Sequence, residues 1–282
     1  MRAEPRFFET APPTVEAWVE RLAREPPPVL RSTLAALAAL RERPQELDAR
    51  AVADAVFGDP LMAARVFAEL APRRARSAAD IATLERAILM LGLEPFFRAF
   101  ARLPAVEDRL QTERRALVGL LRVLRRARRA ARFACLISTW RNDACAEEIV
   151  FAALLHHVGE MLLWIHAPAF ALEVRALQAA RPGLRSAVAQ RAVLGVELGV
   201  LQHLIALRWR LPELVAMSAE DVCAGNPQVC SVVLAARFAR HSARSLADAA
   251  LPDDLRELAR LLSSTPERVR ELLRESSVGR RR

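Results

Sequence analysis

The most constraining feature of this sequence is the spacing of its apolar residues, which recur three or four positions apart. This spacing is clear at Leu30, Leu34 and Leu37, and it continues through most of the chain. Residues at this spacing share one face of an α-helix. Strong helix formers dominate, and glycine is scarce, with 9 among 282 residues. The sequence therefore predicts an all-α fold in the form of a multi-helix bundle.

Capping residues mark where several of these helices begin and end. Asp59 followed by Pro60 is typical of a helix N-terminus, and Thr83 has the same role one helix later. Gly92 is a natural helix stop. Longer uninterrupted patterns predict one helix over about 112–140 and a second over about 146–165.

The net charge and the cysteine spacing exclude some classes of function but do not indicate a single one. The formal net charge is +9, and every basic side chain other than histidine is arginine. Such a surface permits contact with anions but does not by itself indicate a ligand. The four cysteines match no zinc or redox spacing, so we expect them to be reduced. There is no apolar signal region and no long uncharged apolar run, so we expect a cytoplasmic protein with no membrane segment.

Three ordered segments resemble one protein family. They are 58–66 followed by 81–92, then 153–160, and finally 194–198 leading to 209–212. Together they are similar to the HDOD family, the HD-related output domain of bacterial signalling proteins and a degenerate branch of the HD phosphohydrolase superfamily. The resemblance covers roughly 28–245.

This resemblance implies an HD-like bundle with an N-terminal helical lobe packed on it. We accordingly expect a poorly structured or short-helix leader over 1–28 and an HDOD-like domain over 29–245. Its N-terminal lobe would span about 29–108 and its HD-like lobe about 109–245. A C-terminal helical extension would occupy 246–282.

The resemblance also implies that the metal ligands of HD enzymes have been replaced. The His-Asp doublet of those enzymes corresponds here to His156 and His157, and the upstream histidine to Arg126. A later family histidine falls on Leu198, while Glu160 stands where HD enzymes often carry lysine. Because a guanidinium repels a cation, we expect no catalytic residue, no bound metal and no cofactor.

Two alternatives remain open for this degenerate site. In the first, His156, His157 and Glu160 converge on one helix and hold a metal, either a structural metal or one that supports residual phosphohydrolase activity. In the second, one histidine is buried and hydrogen-bonded while the other faces solvent. We further predict that Arg126 forms a salt bridge with Glu160 or Glu197, since a buried arginine needs an acidic partner.

A cluster of arginines on the helix at 112–140 offers a contact surface. Arg122, Arg125 and Arg129 are candidates for binding an anion or an acidic partner. Nucleic-acid binding is disfavoured, because few aromatic residues lie among them to stack on bases. A basic nucleic-acid-associated regulator is kept as a second alternative.

The sequence keeps the motifs of the HD-like fold but has lost the metal ligands of HD enzymes. This combination favours a non-enzymatic role. We expect a regulatory module in signal transduction that binds a signalling protein or a small ligand in the crevice between its lobes. A homo-oligomer is compatible with this role.

Overall fold

The computed structural model describes residues 7–74, 81–181, 183–220, 222–223, 225–243 and 250–278, and they form an all-α protein. Within these ranges the only β pairing is an isolated bridge between Val29 and Ala105. One short 3-10 helix spans Pro44–Glu46. The α-helices are α1 Val15–Leu22, α2 Arg31–Arg41, α3 Ala49–Phe57, α4 Pro60–Arg74, α5 Leu84–Leu91, α6 Leu93–Ala99, α7 Val106–Arg109, α8 Arg114–Arg141, α9 Ala146–Leu155, α10 Val158–His166, α11 Pro168–Ala180, α12 Ser186–Leu194, α13 Leu198–Arg208, α14 Glu213–Met217, α15 Pro227–His241, α16 Leu251–Leu261 and α17 Pro266–Val278.

The predicted caps at Asp59 and Thr83 are confirmed, and Asp59 does more than cap its own helix. Its carboxylate accepts hydrogen bonds from the backbone N–H of Leu61 at 3.0 Å, in the first turn of α4. It also accepts from the backbone N–H of Leu30 at 2.8 Å and the hydroxyl of Thr33 at 2.7 Å, where α2 begins. One buried carboxylate therefore joins the starts of two helices.

Helix α8 is the central element, and it packs against α9, α10, α11 and α15. Small residues on its buried face allow close approach. At Gly119 an added Cβ would lie 2.4 Å from the Trp164 ring of α10, which is closer than atoms can come. The glycine thus sets the separation of α8 and α10.

The predicted single helix over about 146–165 is wrong, because a turn at the histidine doublet divides it into α9 and α10. By length and composition alone, Ala146–His166 could cross a membrane, with a mean hydropathy of 1.5. However, 83% of its most apolar 18 residues are buried inside the bundle. Its apolar character is accounted for by its place at the centre of the core.

Both ends of the described chain pack on the bundle. In α1, the Trp18 indole is buried and donates a hydrogen bond to the Leu194 carbonyl at 3.0 Å. Near the other end, Nδ1 of His241 in α15 lies 2.6 Å from a carboxylate oxygen of Asp254 in α16. One hydrophobic cluster includes residues from α1 through α17.

Candidate functional site

The histidine doublet lies at the turn between α9 and α10, and both of its rings are buried. His156 and His157 are 6% and 7% exposed, and their ring centroids are 4.9 Å apart in a T-shaped arrangement. The expectation that one of them faces solvent is wrong. Between 151 and 165 only Glu160 is not buried, so this segment has no solvent-facing side for a second histidine.

The turn is held open by the side chain of Gln202 in α13. Its carbonyl oxygen accepts from the Gly159 backbone N–H at 2.7 Å, and its amide nitrogen donates to the Leu155 carbonyl at 3.1 Å. In a continuous α-helix these two backbone groups would bond to each other. The Gln202 amide therefore replaces one helical hydrogen bond and stabilises the break that turns the doublet inward.

Gly159 favours this arrangement because α13 approaches closely. A Cβ at that position would meet the backbone nitrogen and Cα of Gln202 at 3.3 Å. The glycine that follows the doublet in the sequence motif thus has a steric reason to be there. It allows the Gln202 amide to reach the interrupted hydrogen bond.

Arg126 of α8 pairs with Glu160, which follows His157 by three residues on α10. The guanidinium Nη2 donates to the carboxylate, and the two side chains are 19% and 25% exposed. This pair is one of the two that the sequence predicted. The other does not form, since Glu197 instead pairs with Arg191 of α12.

The electrostatic environment of His157 favours the neutral imidazole. Burial contributes most to a pKa well below the usual value, and the positive charges of Arg126 and Arg240, together with His156, lower it further. A positive field of this kind also disfavours a metal cation at the same position.

The donor atoms around the doublet do not fit a divalent metal. Among the described residues, no group of three or more histidine, cysteine, aspartate or glutamate side chains is arranged to hold one. The Glu160 carboxylate is engaged by Arg126, and Nδ1 of His203 lies 3.0 Å from the Ala216 carbonyl. The expected convergence of Glu160 with both histidines also presumed a continuous helix, which the turn interrupts.

Glu197 and Leu198 begin α13, and their polar contacts are with α12. Glu197 pairs with Arg191, and the Leu198 backbone N–H donates to the Gln190 side chain at 3.0 Å. They therefore shape the α12–α13 turn. The part of α13 that contacts the turn beside the doublet lies further along the helix, at Gln202.

The arginines of α8 fall into separate environments. Arg122 and Arg125 are exposed, and neither forms an ion pair within the described ranges. Arg129 is half-buried, with its guanidinium 5.4 Å from the Phe133 ring centroid. Arg128 donates to the Gly58 carbonyl at 2.6 Å and so ties α8 to the end of α3. An anion-binding face is therefore limited to the exposed members.

Sequence reasoning missed Gln202 and Arg240. A signal existed for Gln202, because α13 is apolar around most of its circumference and a polar residue there is a candidate for a buried contact. Gln202 is 3% exposed. For Arg240, which acts on His157 from α15, no local pattern in the sequence indicates that the two meet.

Comparisons with solved structures show the same fold. The MmoQ response regulator of Methylococcus capsulatus superposes with a TM-score of 0.65 at 20% identity, covering 87% of this chain and 97% of that chain. A virulence factor of Campylobacter jejuni gives a TM-score of 0.60 at 18% identity, covering 89% and 90%. An HDOD domain protein of unknown function from Geobacter sulfurreducens gives 0.50 at 21% identity, covering 94% and 96%.

Sequence comparisons give the family. Comparison with curated protein sequences yields no match. The model of the HDOD domain matches residues 28–222, which is more than half of the chain. The chain therefore belongs to the HDOD family.

Proposed function

We propose that this chain is a non-catalytic regulatory module in signal transduction, which works by binding a partner protein or a small ligand. The observation that carries the proposal is the ion pair between Arg126 and Glu160 at the histidine doublet. It supplies a positive charge where HD-type hydrolysis needs a cation, and it engages the nearest carboxylate.

The chemistry of metal-dependent hydrolysis explains why this pair matters. A metal that activates water for attack on phosphorus is held by imidazoles together with hard oxygen ligands. Here two imidazoles are present, but the adjacent acid is bound to a guanidinium. Displacing Arg126 would leave the half-buried carboxylate of Glu160 without its partner, which is unfavourable.

Family membership supports the signalling part of the proposal. One protein of the same fold is named a response regulator. The exposed Arg122 and Arg125 of α8, with Arg129 beside them, suit an acidic partner surface, because guanidinium groups bind carboxylates in a bidentate manner. We place the partner contact on this face of α8.

Residual phosphohydrolase activity is the alternative that one observation favours. The two imidazoles of the doublet are adjacent, with centroids 4.9 Å apart, and neutral imidazoles are good metal ligands. A bound metal would then be coordinated by His156 and His157. The Glu160 carboxylate would also coordinate it, after its ion pair with Arg126 had broken.

A hydrolysis assay distinguishes the two accounts. Untagged protein is incubated with Mn²⁺, Mg²⁺ or Fe²⁺ and a phosphomonoester, a nucleotide or a cyclic dinucleotide, beside the His156→Ala variant. We expect no turnover above the metal-only blank in either protein. Metal-dependent turnover by the wild type that His156→Ala abolishes would establish the alternative instead.

A further inference from the structure

Two buried nitrogen atoms beside the histidine doublet have no hydrogen-bond partner among the described residues. They are Nε of Arg126 and Nε2 of His157. His157 is only 7% exposed. A buried polar group left without a partner costs about 1–3 kcal/mol, so native proteins rarely leave two of them together. The pair therefore points to an acceptor that comes from outside the protein.

The ion pair leaves Nε of Arg126 available. The guanidinium uses Nη2 to bind Glu160, which lies on the first turn of α10. A guanidinium carries five N–H donors in a fixed plane, so one edge can hold a carboxylate while another binds a second acceptor. Arg126 can thus keep its structural partner and still bind a ligand.

The positive charge near His157 indicates which class of hydrogen-bond acceptor would bind there. Arg126 from α8 and Arg240 from α15 both lie close enough to His157 to lower its pKa. A neutral imidazole with its proton on Nε2 is a hydrogen-bond donor in this positive field. A negatively charged acceptor is therefore favoured over a neutral one.

We propose that the histidine doublet site binds an oxyanion, a phosphate or a phosphoryl group, between Nε–H of Arg126 and Nε2–H of His157. The inference rests on the proposed function, because a metal ion at the doublet would use the same imidazole nitrogen. Arginine suits this ligand since its donors match the spacing of phosphate oxygens. The site thus binds the opposite charge from the one that an HD hydrolase binds.

The position of the site would allow a bound ligand to change the packing of the surrounding helices. Arg126 and Glu160 are 19% and 25% exposed, so they form its solvent side, while the imidazoles lie beneath them. A bound oxyanion would join α8 to the turn between α9 and α10. It would tighten the same turn that Gln202 holds open, and in that way occupancy would be transmitted to α13.

Titration of metal-free protein tests the proposal. Full-length protein treated with a chelator is titrated with inorganic phosphate and, separately, with AMP, at constant ionic strength against sodium chloride. Binding is followed by calorimetry and by the ¹⁵N resonances of the imidazoles. We expect saturable binding at one site and a shift of the His157 resonance. Binding of phosphate alone indicates the free ion as ligand, and tighter binding of AMP indicates a phosphoryl group on a nucleotide.

Variants locate the site. His157→Phe removes one donor and should weaken binding at least about tenfold, the equivalent of one hydrogen bond. Arg126→Lys is a second test in case His157→Phe does not fold. It keeps the charge beside Glu160 but loses Nε–H, and it should weaken binding by a similar factor. Arg115→Gln is the matched control, since Arg115 is exposed on the same helix and lies outside the arginine face assigned to the partner, and it should bind as the wild type does.

Three results would overturn the inference. They are no saturable response to either probe, a response that sodium chloride reproduces, and equal binding by the wild type and both donor variants. Each leaves the proposed function standing, because all are measured on metal-free protein. Failure of the proposed function would show itself differently, as metal-dependent turnover.

Discussion

At the scale of single residues, burial links histidine protonation to stability. His166 stacks on Phe8, and burial together with the charge of Arg109 lowers its pKa to about 4. In an unfolded chain its pKa is about 6.5. Between these two values the unfolded state binds a proton that the folded state does not, so stability is lost as the pH falls.

We expect the free energy of unfolding to fall by up to about 3 kcal/mol from His166 alone between pH 6.5 and pH 4. The pKa of His157 is also depressed, and His157 adds to the same slope. Urea denaturation at several pH values measures this loss. His166→Phe should flatten the dependence by one proton. An identical slope in His166→Phe would contradict the assignment.

Asp59 illustrates how one polar residue can fix two helices. Asp59→Asn keeps the size of the side chain but turns an NH₂ group toward N–H donors. We therefore expect a loss of about 2–4 kcal/mol, measured from urea midpoints. Asp48→Asn is the matched control, because Asp48 is exposed and caps only α3. Asparagine caps a helix as well as aspartate, so the control should change little. Equal losses in the two variants would refute the dual role of Asp59.

At the scale of helices, the contact between Gly119 and Trp164 sets how closely α8 and α10 pack. Gly119→Ala places a Cβ 2.4 Å from the indole ring and should cost about 1–3 kcal/mol. Adding Trp164→Leu should recover part of that loss, and a double-mutant cycle in thermal unfolding measures the coupling. Gly58→Ala is the control, since its nearest neighbour would lie at 3.9 Å. Additive effects at Gly119 and Trp164 would argue against direct contact.

The turn between α9 and α10 depends on Gln202 in the same way. Gln202→Leu leaves the Gly159 N–H and Leu155 carbonyl either unbonded or bonded to each other in a straightened helix. We expect a loss of about 2–4 kcal/mol and altered ¹⁵N resonances of both doublet imidazoles. Gln190→Leu removes one hydrogen bond of a half-buried side chain and should cost less, with no effect on the doublet. Unchanged imidazole resonances in Gln202→Leu would show that the amide does not hold the turn.

At the scale of the whole molecule, local signals in the sequence predicted much of the fold. The caps at Asp59 and Thr83 were visible because a capping side chain bonds to its own helix. The pairing of Arg126 with Glu160 followed from the resemblance to HD enzymes, which aligns the two positions. The break at the doublet was not predictable, because apolar residues continue without interruption through 146–165 and the residue that creates the break lies in α13.

The division into a leader, two lobes and an extension remains a prediction. The core runs from Trp18 through Val269 as one hydrophobic cluster, so burial alone does not mark boundaries. The fold does show that the histidine doublet lies where several helices meet. Helices α8, α9, α10, α13 and α15 all contribute residues near it, and a change at the site can reach each of them.

The metal content of the purified protein shows whether the histidine doublet holds a cation. Untagged protein from cells supplied with manganese, iron and zinc is analysed by mass spectrometry, beside His157→Ala. We expect far less than one metal ion per chain in both proteins, because Arg126 holds Glu160 and the imidazoles lack a third ligand. About one ion per wild-type chain, lost in His157→Ala, would contradict this expectation.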